Sequence, residues 1–524
     1  MERARLEALA SRPGPATALL AAATLLAHGV GLGNGFALDD GIAILQHPVV
    51  GGPAPLSDLL RVSNWGRPLG SDLTGFRPLT TLTFCLDRAI SRGPLVMHAM
   101  SLAWALALHV VVWRLARRFL PPLPALAAAV VFATMGIHVD AVGGIANRGE
   151  LIATTLGLGA LLCALPAPGR KARPLLAAVL FGAALLGKES AFPMGATSVW
   201  WLVCVPAWRR DRRTLVAVAL LALLALGYLG ARSRPGPSLD QALGAPALVT
   251  GDGAEAGTPD NPVMRLSRRA RLPTALALAT RYLGTSLWPG ALSHDHTYAA
   301  ILPSRLADPL ALIGLSLLLA GAGVALRDLR RGDGRAAMML GALGVTLAFV
   351  THVAVPLSVI YADRLFTLGS VWLALLVGLA LDHLRPRVLA LVLGLFVICQ
   401  VPPAILQTTA WHDDVTLNVS CLEALPQNVR CHLYLARALH ERGSAVEATW
   451  HFAMAALGRK AYPGPWDAAP QRKLADAPYP ERLERLPALL GPPAEARAWL
   501  AALATYLDAQ GALAERDLVR GMMR

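Results

Sequence analysis

The feature that most constrains this chain is a series of long apolar runs that repeats along most of its length. A helix needs roughly 17–25 mainly apolar residues to cross a bilayer, and shorter runs are accommodated by local thinning. The sequence therefore predicts an all-α, polytopic membrane bundle of about eleven spans within residues 1–408. The runs lie near 13–33, 95–113, 122–138, 150–166, 174–187, 190–207, 214–231, 308–326, 336–355, 365–382 and 388–407.

Composition agrees with a membrane protein and argues against a nucleic-acid-binding one. The chain is 55% hydrophobic and 16% charged, whereas about 25% of residues are charged in soluble domains. Its net charge is +14, but the basic clusters lie between the apolar runs, where the positive-inside rule accounts for them. The six cysteines lack the spacing of a zinc site. We therefore expect membrane lipid, and no nucleic acid, around this chain.

The basic clusters also predict an orientation. All of them fall on the cytoplasmic side if the N-terminus is inside and the stretch 273–292 does not cross the membrane. We therefore predict that this stretch, broken by Pro289-Gly290, is re-entrant or interfacial within an outer loop 232–307. The first outer loop, 34–94, is long enough to hold interfacial helices. The clusters are 114–118, 170–173, 209–213, 327–335 and 385–387.

Ionisable residues close to membrane boundaries gather on the predicted outer face. Each alone could be a helix cap or the end of a snorkelling side chain, but charges gathered on one face indicate a shared polar cavity. The residues are Asp39, Asp40, His138, Asp140, Arg148, Glu150, Lys188, Glu189, His294, Asp295, His296, Asp363 and Arg364. Arg77, just before Pro78, could reach an anionic group or lie on the surface.

Asp39 and Asp40 follow the first apolar run directly. A charge inside hydrocarbon costs about 2.5–3.5 kcal/mol on insertion scales, so we expect both at a wet boundary, where an asparagine would leave the protein folded. Two like charges in a half-dry site raise one pKa, which suits a general base. The alternative is that the two carboxylates only mark the polar end of a helix.

After about residue 409 the pattern changes to amphipathic helices. Residues 435–455 have the spacing of one tetratricopeptide (TPR) repeat, with Gly443 at the turn. Residues 417–426 resemble the closing helix of a preceding repeat, and 493–520 suggest another pair turning at Gly511. We therefore predict a short TPR-like domain over 409–524. If it is extracytoplasmic, Cys421 and Cys431 could pair, or both could remain free thiols.

Several motifs together resemble a known family. In order along the chain, they are similar to those of the transmembrane-and-TPR-containing protein O-mannosyltransferases and their bacterial relatives, within the C-type glycosyltransferases. The motifs are Phe36-Ala-Leu-Asp-Asp-Gly-Ile-Ala-Ile44, Phe76-Arg-Pro-Leu-Thr-Thr-Leu-Thr-Phe84, His138-Val-Asp-Ala-Val142, Asn147-Arg-Gly-Glu-Leu151, Lys188-Glu189 and Asp363-Arg-Leu-Phe-Thr-Leu-Gly-Ser370.

Three features depart from the family pattern. Val139 follows His138 where the family usually has proline, Asp363-Arg-Leu-Phe-Thr367 replaces a Glu-Arg-Leu-Tyr-Leu motif, and the TPR array is shorter than in animal members. These departures leave the sugar and the acceptor open.

The resemblance implies transfer of a mannose-like sugar from a polyprenyl-phosphate-linked donor at the outer leaflet. The acceptor would be a hydroxyl of an extracytoplasmic protein, with Ser or Thr favoured, or of a glycan, engaged by the TPR-like domain. The catalytic base would lie in the acidic pair, at Asp39 or Asp40. A bacterial inner membrane is implied, with the C-terminal domain in the periplasm and the N-terminus in the cytoplasm.

The residue types suit that chemistry, because displacing a phosphate from an anomeric carbon needs a base on the hydroxyl and cations on the phosphate. Carboxylates could hold a divalent metal, but no spacing demands a cofactor. Lys188, Arg148 and Arg364 are the predicted cations, with Arg77 a further candidate. Glu150 and Glu189 would orient them or bind sugar hydroxyls, or form structural ion pairs. His138 and Asp140 complete the predicted substrate-binding set.

Two other classes of function remain alternatives. A transporter also places charges at a membrane cavity, but this chain shows no repeat symmetry between its halves and no charge in mid-span. A non-catalytic TPR membrane scaffold would be favoured if no cavity lay beside Asp39 and Asp40.

Overall fold

We describe a computed structural model of the chain over residues 2–69, 75–166, 171–232, 261–297, 300–461, 477–490 and 492–523. The described residues are mainly helical and contain no β-strand, which confirms the all-α prediction. The helices of the first part are α1 (Glu2–Ser11), α2 (Pro13–His28), α3 (Pro78–Ile90), α4 (Pro94–Ala116), α5 (Pro122–Thr134), α6 (Val139–Gly143), α7 (Gly149–Ala164), α8 (Pro174–Gly187), α9 (Pro193–Cys204), α10 (Arg212–Arg232), α11 (Arg268–Leu287), α12 (Pro309–Arg331), α13 (Arg335–Val350), α14 (Thr367–Leu381) and α15 (Pro386–Ala410).

The helical bundle is that of a multi-pass membrane protein. Six helices of the described chain are long and apolar enough to span a bilayer, and a seventh span results if α5 and the bent segment after it are counted together. The other four predicted spans correspond to α7, α8, α9 and α13, which have only 12 to 16 residues. A 16-residue helix is about 24 Å long, less than the roughly 30 Å hydrocarbon core. The total of about eleven spans stays a prediction.

The segment from α5 to α7 forms the centre of the bundle. Nearly every residue between 124 and 161 is buried, including the polar ones. α7 packs along α8 and α4, and α14 packs against α5 and α13. Gly149 starts α7, and a Cβ there would lie 3.3 Å from the carbonyl oxygen of Gly187 at the end of α8. This close approach places Glu150 and Lys188 side by side.

The stretch predicted to be re-entrant begins within α11, a 20-residue helix with Pro273 inside it. α11 ends at Leu287, before Pro289 and Gly290, and packs along α12. Whether this helix crosses the membrane depends on its position in a bilayer, so the predicted re-entrant topology stays a prediction.

The C-terminal helices have a hydrophobic core of their own. They are α16 (Asp414–Ala424), α17 (Val429–Glu441), α18 (Ala445–Ala461), α19 (Tyr479–Leu489), α20 (Pro493–Ala509) and α21 (Leu513–Gly521). Gly443 and Gly511 have φ of +78° and +73° at the two predicted turns, in the left-handed region that glycine adopts readily. Cys421 and Cys431 form a disulfide between α16 and α17.

Candidate active site

The loop between α2 and α3 carries the acidic pair and is attached to the start of the C-terminal domain. At Leu38 the backbone has a φ of +49°, a region that is costly for a residue with a Cβ. The N–H of Leu38 donates to Oδ1 of Asp414 at 2.6 Å, and the N–H of Gly35 donates to the carbonyl oxygen of His412 at 3.0 Å. The backbone before the acidic pair is therefore held by residues that lie more than 370 positions later in the chain.

Asp40 anchors this loop to the centre of the bundle. Its Oδ1 accepts the N–H of Ala146 at 2.7 Å and its Oδ2 accepts the N–H of Ala37 at 3.2 Å. Burial raises the pKa of Asp40 to about 7, although those N–H groups favour the ionised form; the charge of Asp39 adds a smaller upward effect. The prediction that both carboxylates lie at a wet boundary is wrong for Asp40, because the loop folds back and buries its side chain.

Asp39 lies at a cavity between the bundle and the C-terminal domain. Its side chain is half-buried and makes no hydrogen bond or ion pair with any residue that the structure describes. The cavity has a volume of about 50 Å³. Its walls come from residues 37–40, here called the acidic loop, from residues 144–147 before α7, from the loop after α11, from the turn before α14, and from the start of the C-terminal domain. Besides Asp39 and Asp40 they include Asn147, His294, Asp295, Arg364, Trp411, Arg430 and Tyr434. Asp39 is thus a carboxylate with unused acceptor capacity beside a cavity.

Arg364 provides a cationic wall of the cavity. Its Nη1 and its backbone N–H both donate to Oδ2 of Asp140, at 2.8 and 3.4 Å. Asn147 donates to the other oxygen of Asp140 at 3.0 Å. Arg364 lies close enough to Asp39 and Glu150 to interact electrostatically with both. Its Nε and Nη2 have no partner among the described residues, so they could bind an anionic group.

Two further ion pairs lie near Arg364. Nζ of Lys188 is 2.9 Å from Oε1 of Glu150, and both side chains are buried. Arg77 forms two parallel hydrogen bonds to Glu189, at 2.8 and 3.2 Å. Lys188 lies within electrostatic range of Arg77 and of Arg364. The structure therefore groups these three cations, each with its own carboxylate.

His138 lies inside the bundle and is not among the residues that line the cavity. Its Nε2 is 2.8 Å from Oγ of Ser370 on α14, and its ring lies 4.4 Å from that of Phe132. It sits directly before α6, which carries Asp140. In this position His138 connects α14 to the turn that carries Asp140.

Arg148 also lies away from the cavity. Its Nη1 donates to Oδ2 of Asp87 at 2.5 Å, and its other nitrogens donate to Ser101 and to the carbonyl oxygen of Met97. The side chain is fully buried. These contacts join α3, α4 and the segment before α7, and they use every nitrogen of the guanidinium group.

Arg430 and Tyr434 of the C-terminal domain line the cavity, but neither is among the residues predicted for the site. Asp295 accepts hydrogen bonds from Asn428 and Arg430, both at 3.1 Å. Arg430 keeps the pKa of Asp295 well below its usual range, although burial alone would raise it. Asp295 stands out in the sequence beside two histidines, but Arg430 and Tyr434 are polar residues of an amphipathic helix. No local pattern tells which polar residue of such a helix meets another domain.

One group of metal-binding residue types lies close together in the described part of the chain. Ligand atoms of His294, Cys421 and Cys431 lie within 4.8 Å of one another. The two cysteines form the disulfide, which removes the thiolates that a soft metal needs. The carboxylates around Asp39 form no comparable group with other described residues.

Comparison with known proteins adds an independent finding. No protein-family model and no solved structure matches the chain. Several curated proteins do match over part of its length. A stretch of 131 residues is 33% identical to protein O-mannosyl-transferase TMTC3 of Mus musculus, and covers 24% of this chain and 14% of that protein.

Two other relatives match over longer stretches. Protein O-mannosyl-transferase F38B6.6 of Caenorhabditis elegans is 28% identical over 207 residues, which is 38% of this chain and 29% of the relative. Protein O-mannosyl-transferase Tmtc2 of Drosophila melanogaster is 30% identical over 281 residues, which is 50% of this chain and 28% of the relative. The chain spans less than a third of the length of these relatives. It resembles the TMTC protein O-mannosyltransferases in sequence, as its motifs predicted.

Proposed function

We propose that this protein is a membrane glycosyltransferase that moves a mannose-like sugar from a polyprenyl-phosphate donor to a hydroxyl, preferably of a protein Ser or Thr, on the outer face of the membrane. The observation that carries the proposal is Asp39, a carboxylate without a partner among the described residues, in a cavity walled by Arg364. The names of the relatives support a mannosyl group and a protein acceptor. The cavity beside the acidic pair favours an enzyme over a scaffold.

Asp39 is the proposed general base. It takes the proton of the acceptor hydroxyl while the oxygen of that hydroxyl bonds to the anomeric carbon of the sugar. The bond from that carbon to the donor phosphate breaks, and its electron pair leaves with the phosphate. Asp40 is less suited to this role, because both of its oxygens hold backbone N–H groups and its side chain is 1% exposed.

Arg364, Lys188 and Arg77 are the proposed cations for the departing phosphate. Arg364 is the best placed of them, because it lines the cavity and retains donors without partners among the described residues. Charge-assisted hydrogen bonds to phosphate are strong, and they are stronger still in poorly solvated sites. Lys188 and Arg77 would add to the local positive potential while Glu150 and Glu189 keep them in place. In this proposal Arg148 and His138 support the fold of the site and do not touch the donor.

The lining of the cavity suggests how the substrates would be arranged. Asp39 and Arg364 both line it. The acceptor hydroxyl would therefore enter beside Asp39, and the sugar phosphate would lie against Arg364.

Transfer of radiolabelled mannose from polyprenyl phosphate to a Ser/Thr-rich peptide, by purified protein in nanodiscs, tests this proposal. Asp39→Asn should lower the rate by about 10²–10⁴-fold, the usual contribution of a general base. Asp58→Asn is the matched control, because Asp58 lies on the same loop and pairs, among the described residues, with the exposed Arg61; it should transfer at the parental rate.

Two results would contradict the proposal. Asp39→Asn with the parental rate would show that Asp39 is not the base. A parent that carries labelled lipid across the bilayer without forming an acceptor-dependent product would point to transport.

A further inference from the structure

The C-terminal domain contacts the acidic loop at Leu38, the residue directly before Asp39. Asp414 is the first residue of α16, and its Oδ1 accepts the N–H of Leu38 at 2.6 Å. Asp413, its neighbour, already caps α16 through a capping box with Thr416. The carboxylate of Asp414 is therefore not needed as the N-cap of its own helix.

The backbone at Leu38 separates the two carboxylates. Its φ of +49° lies in the left-handed region, which non-glycine residues adopt only when their surroundings stabilise it. Both carboxylates line the cavity. Asp40 is buried and accepts the N–H of Ala146, while Asp39 is half-buried and has no hydrogen-bond partner among the described residues. If Leu38 relaxed to a negative φ, the direction of the backbone would change one residue before Asp39, and the Asp39 side chain would shift with it.

We propose that Asp414 is a positioning residue for Asp39: by holding the N–H of Leu38 it keeps the loop in the conformation that places the base in the cavity. This inference rests on the proposed function of Asp39. The C-terminal domain then completes the active site and does more than capture an acceptor. Neighbouring contacts agree with this role, because Gly35 bonds to His412 and Trp411 packs closely on Gly144.

The expected size of the effect follows from the conformation of Leu38. The cost of a left-handed conformation for a residue with a Cβ corresponds to about 5- to 30-fold in an equilibrium. Asp414→Ala should therefore lower kcat about tenfold and change KM for the lipid donor less than about twofold. Asp414→Asn keeps an oxygen that can accept the same N–H, so it should retain most of the parental kcat.

Glycine at position 38 provides a specific rescue. Glycine adopts positive φ without steric cost, so the double variant Leu38→Gly/Asp414→Ala should recover most of the kcat that Asp414→Ala loses. A merely structural role of Asp414 in starting α16 would not be rescued at Leu38. Asp413→Asn is the matched control, since it removes a neighbouring carboxylate but keeps an N-cap residue; its kcat should be parental.

The experiment measures kcat and donor KM for these variants in nanodiscs, together with hydrogen exchange of residues 36–41. Exchange of the Leu38 amide should become faster in Asp414→Ala and stay parental in Asp413→Asn. Parental kcat and exchange in Asp414→Ala, or a double variant as slow as Asp414→Ala, would overturn the inference. A parent without any transfer would refute the proposed function instead, and the exchange data would still decide whether Asp414 orders the loop.

Discussion

Asp39 and Asp40 are adjacent and line the same cavity, but they differ in exposure and in hydrogen bonding. Asp40 is buried and holds two backbone N–H groups, and its pKa is raised to about 7, mainly by burial. A carboxyl whose pKa is higher in the folded than in the unfolded state contributes stability at low pH, and this contribution is lost as the pH rises through the folded pKa. The free energy of unfolding of the parent, measured relative to an Asp40→Asn variant in which the other groups still titrate, should therefore fall between about pH 4 and about pH 8.

Asp40→Asn removes this ionisation. The amide can accept only one of the two N–H groups, so we expect a loss of about 1–3 kcal/mol at low pH. From about pH 4 to about pH 8 the unfolding temperature of the parent should therefore fall relative to that of the variant. Thermal unfolding in detergent at several pH values measures both effects, and a parental pH slope in Asp40→Asn would show that another group titrates.

Arg148 illustrates how a residue with a suitable charge can serve the fold. It is fully buried and paired with Asp87. Removing one partner of such a pair costs about 3–5 kcal/mol, whereas replacing both by apolar residues is often tolerated. Arg148→Met should therefore lower the yield of folded protein, and Arg148→Met/Asp87→Leu should restore it. Size-exclusion profiles and unfolding temperatures test this; a folded Arg148→Met protein with only a raised donor KM would instead support phosphate binding.

At the scale of elements, the disulfide joins α16, which holds the acidic loop, to α17, which lines the cavity. It closes a short loop that contains Asn428 and Arg430, the two residues bound to Asp295. Disulfides typically contribute about 2–4 kcal/mol. Cys421→Ser/Cys431→Ser should therefore unfold at a lower temperature. Cys399→Ser, which changes a free cysteine on α15, should not; equal unfolding temperatures for the two variants would show that the disulfide adds little.

At the scale of the whole molecule, the shared cavity puts Asp39 and α17 on the same side of the membrane. The basic clusters predict that this side is the outer one. In a background without other free cysteines, Arg437→Cys on α17 should react with an impermeant maleimide added to intact cells. Arg210→Cys should react only after the cells are opened. Labelling with the opposite pattern, or a reporter fused at residue 460 that is active in the cytoplasm, would invert the proposed topology.

The sequence alone determined much of the fold and part of the site. Apolar runs and helix periodicity depend on neighbouring residues, so the bundle, the repeat around Gly443 and the segments that carry ionisable residues could be predicted. Asp39, Lys188 and Arg364 could be proposed as site residues because charges beside apolar runs are conspicuous. The separate role of Arg148 could not be seen in this way, because its partner Asp87 lies 61 residues earlier.

Only the tertiary structure decided which of these polar groups share a cavity. The positive φ of Leu38, the burial of Asp40 and the wall formed by Arg430 and Tyr434 all depend on contacts between the acidic loop, the centre of the bundle and the C-terminal domain. Such contacts join residues more than 100 positions apart. Local sequence determines which face of a helix is polar, because that face follows from periodicity. Local sequence does not determine which residues the polar face contacts, because those contacts depend on how the helices and loops pack together.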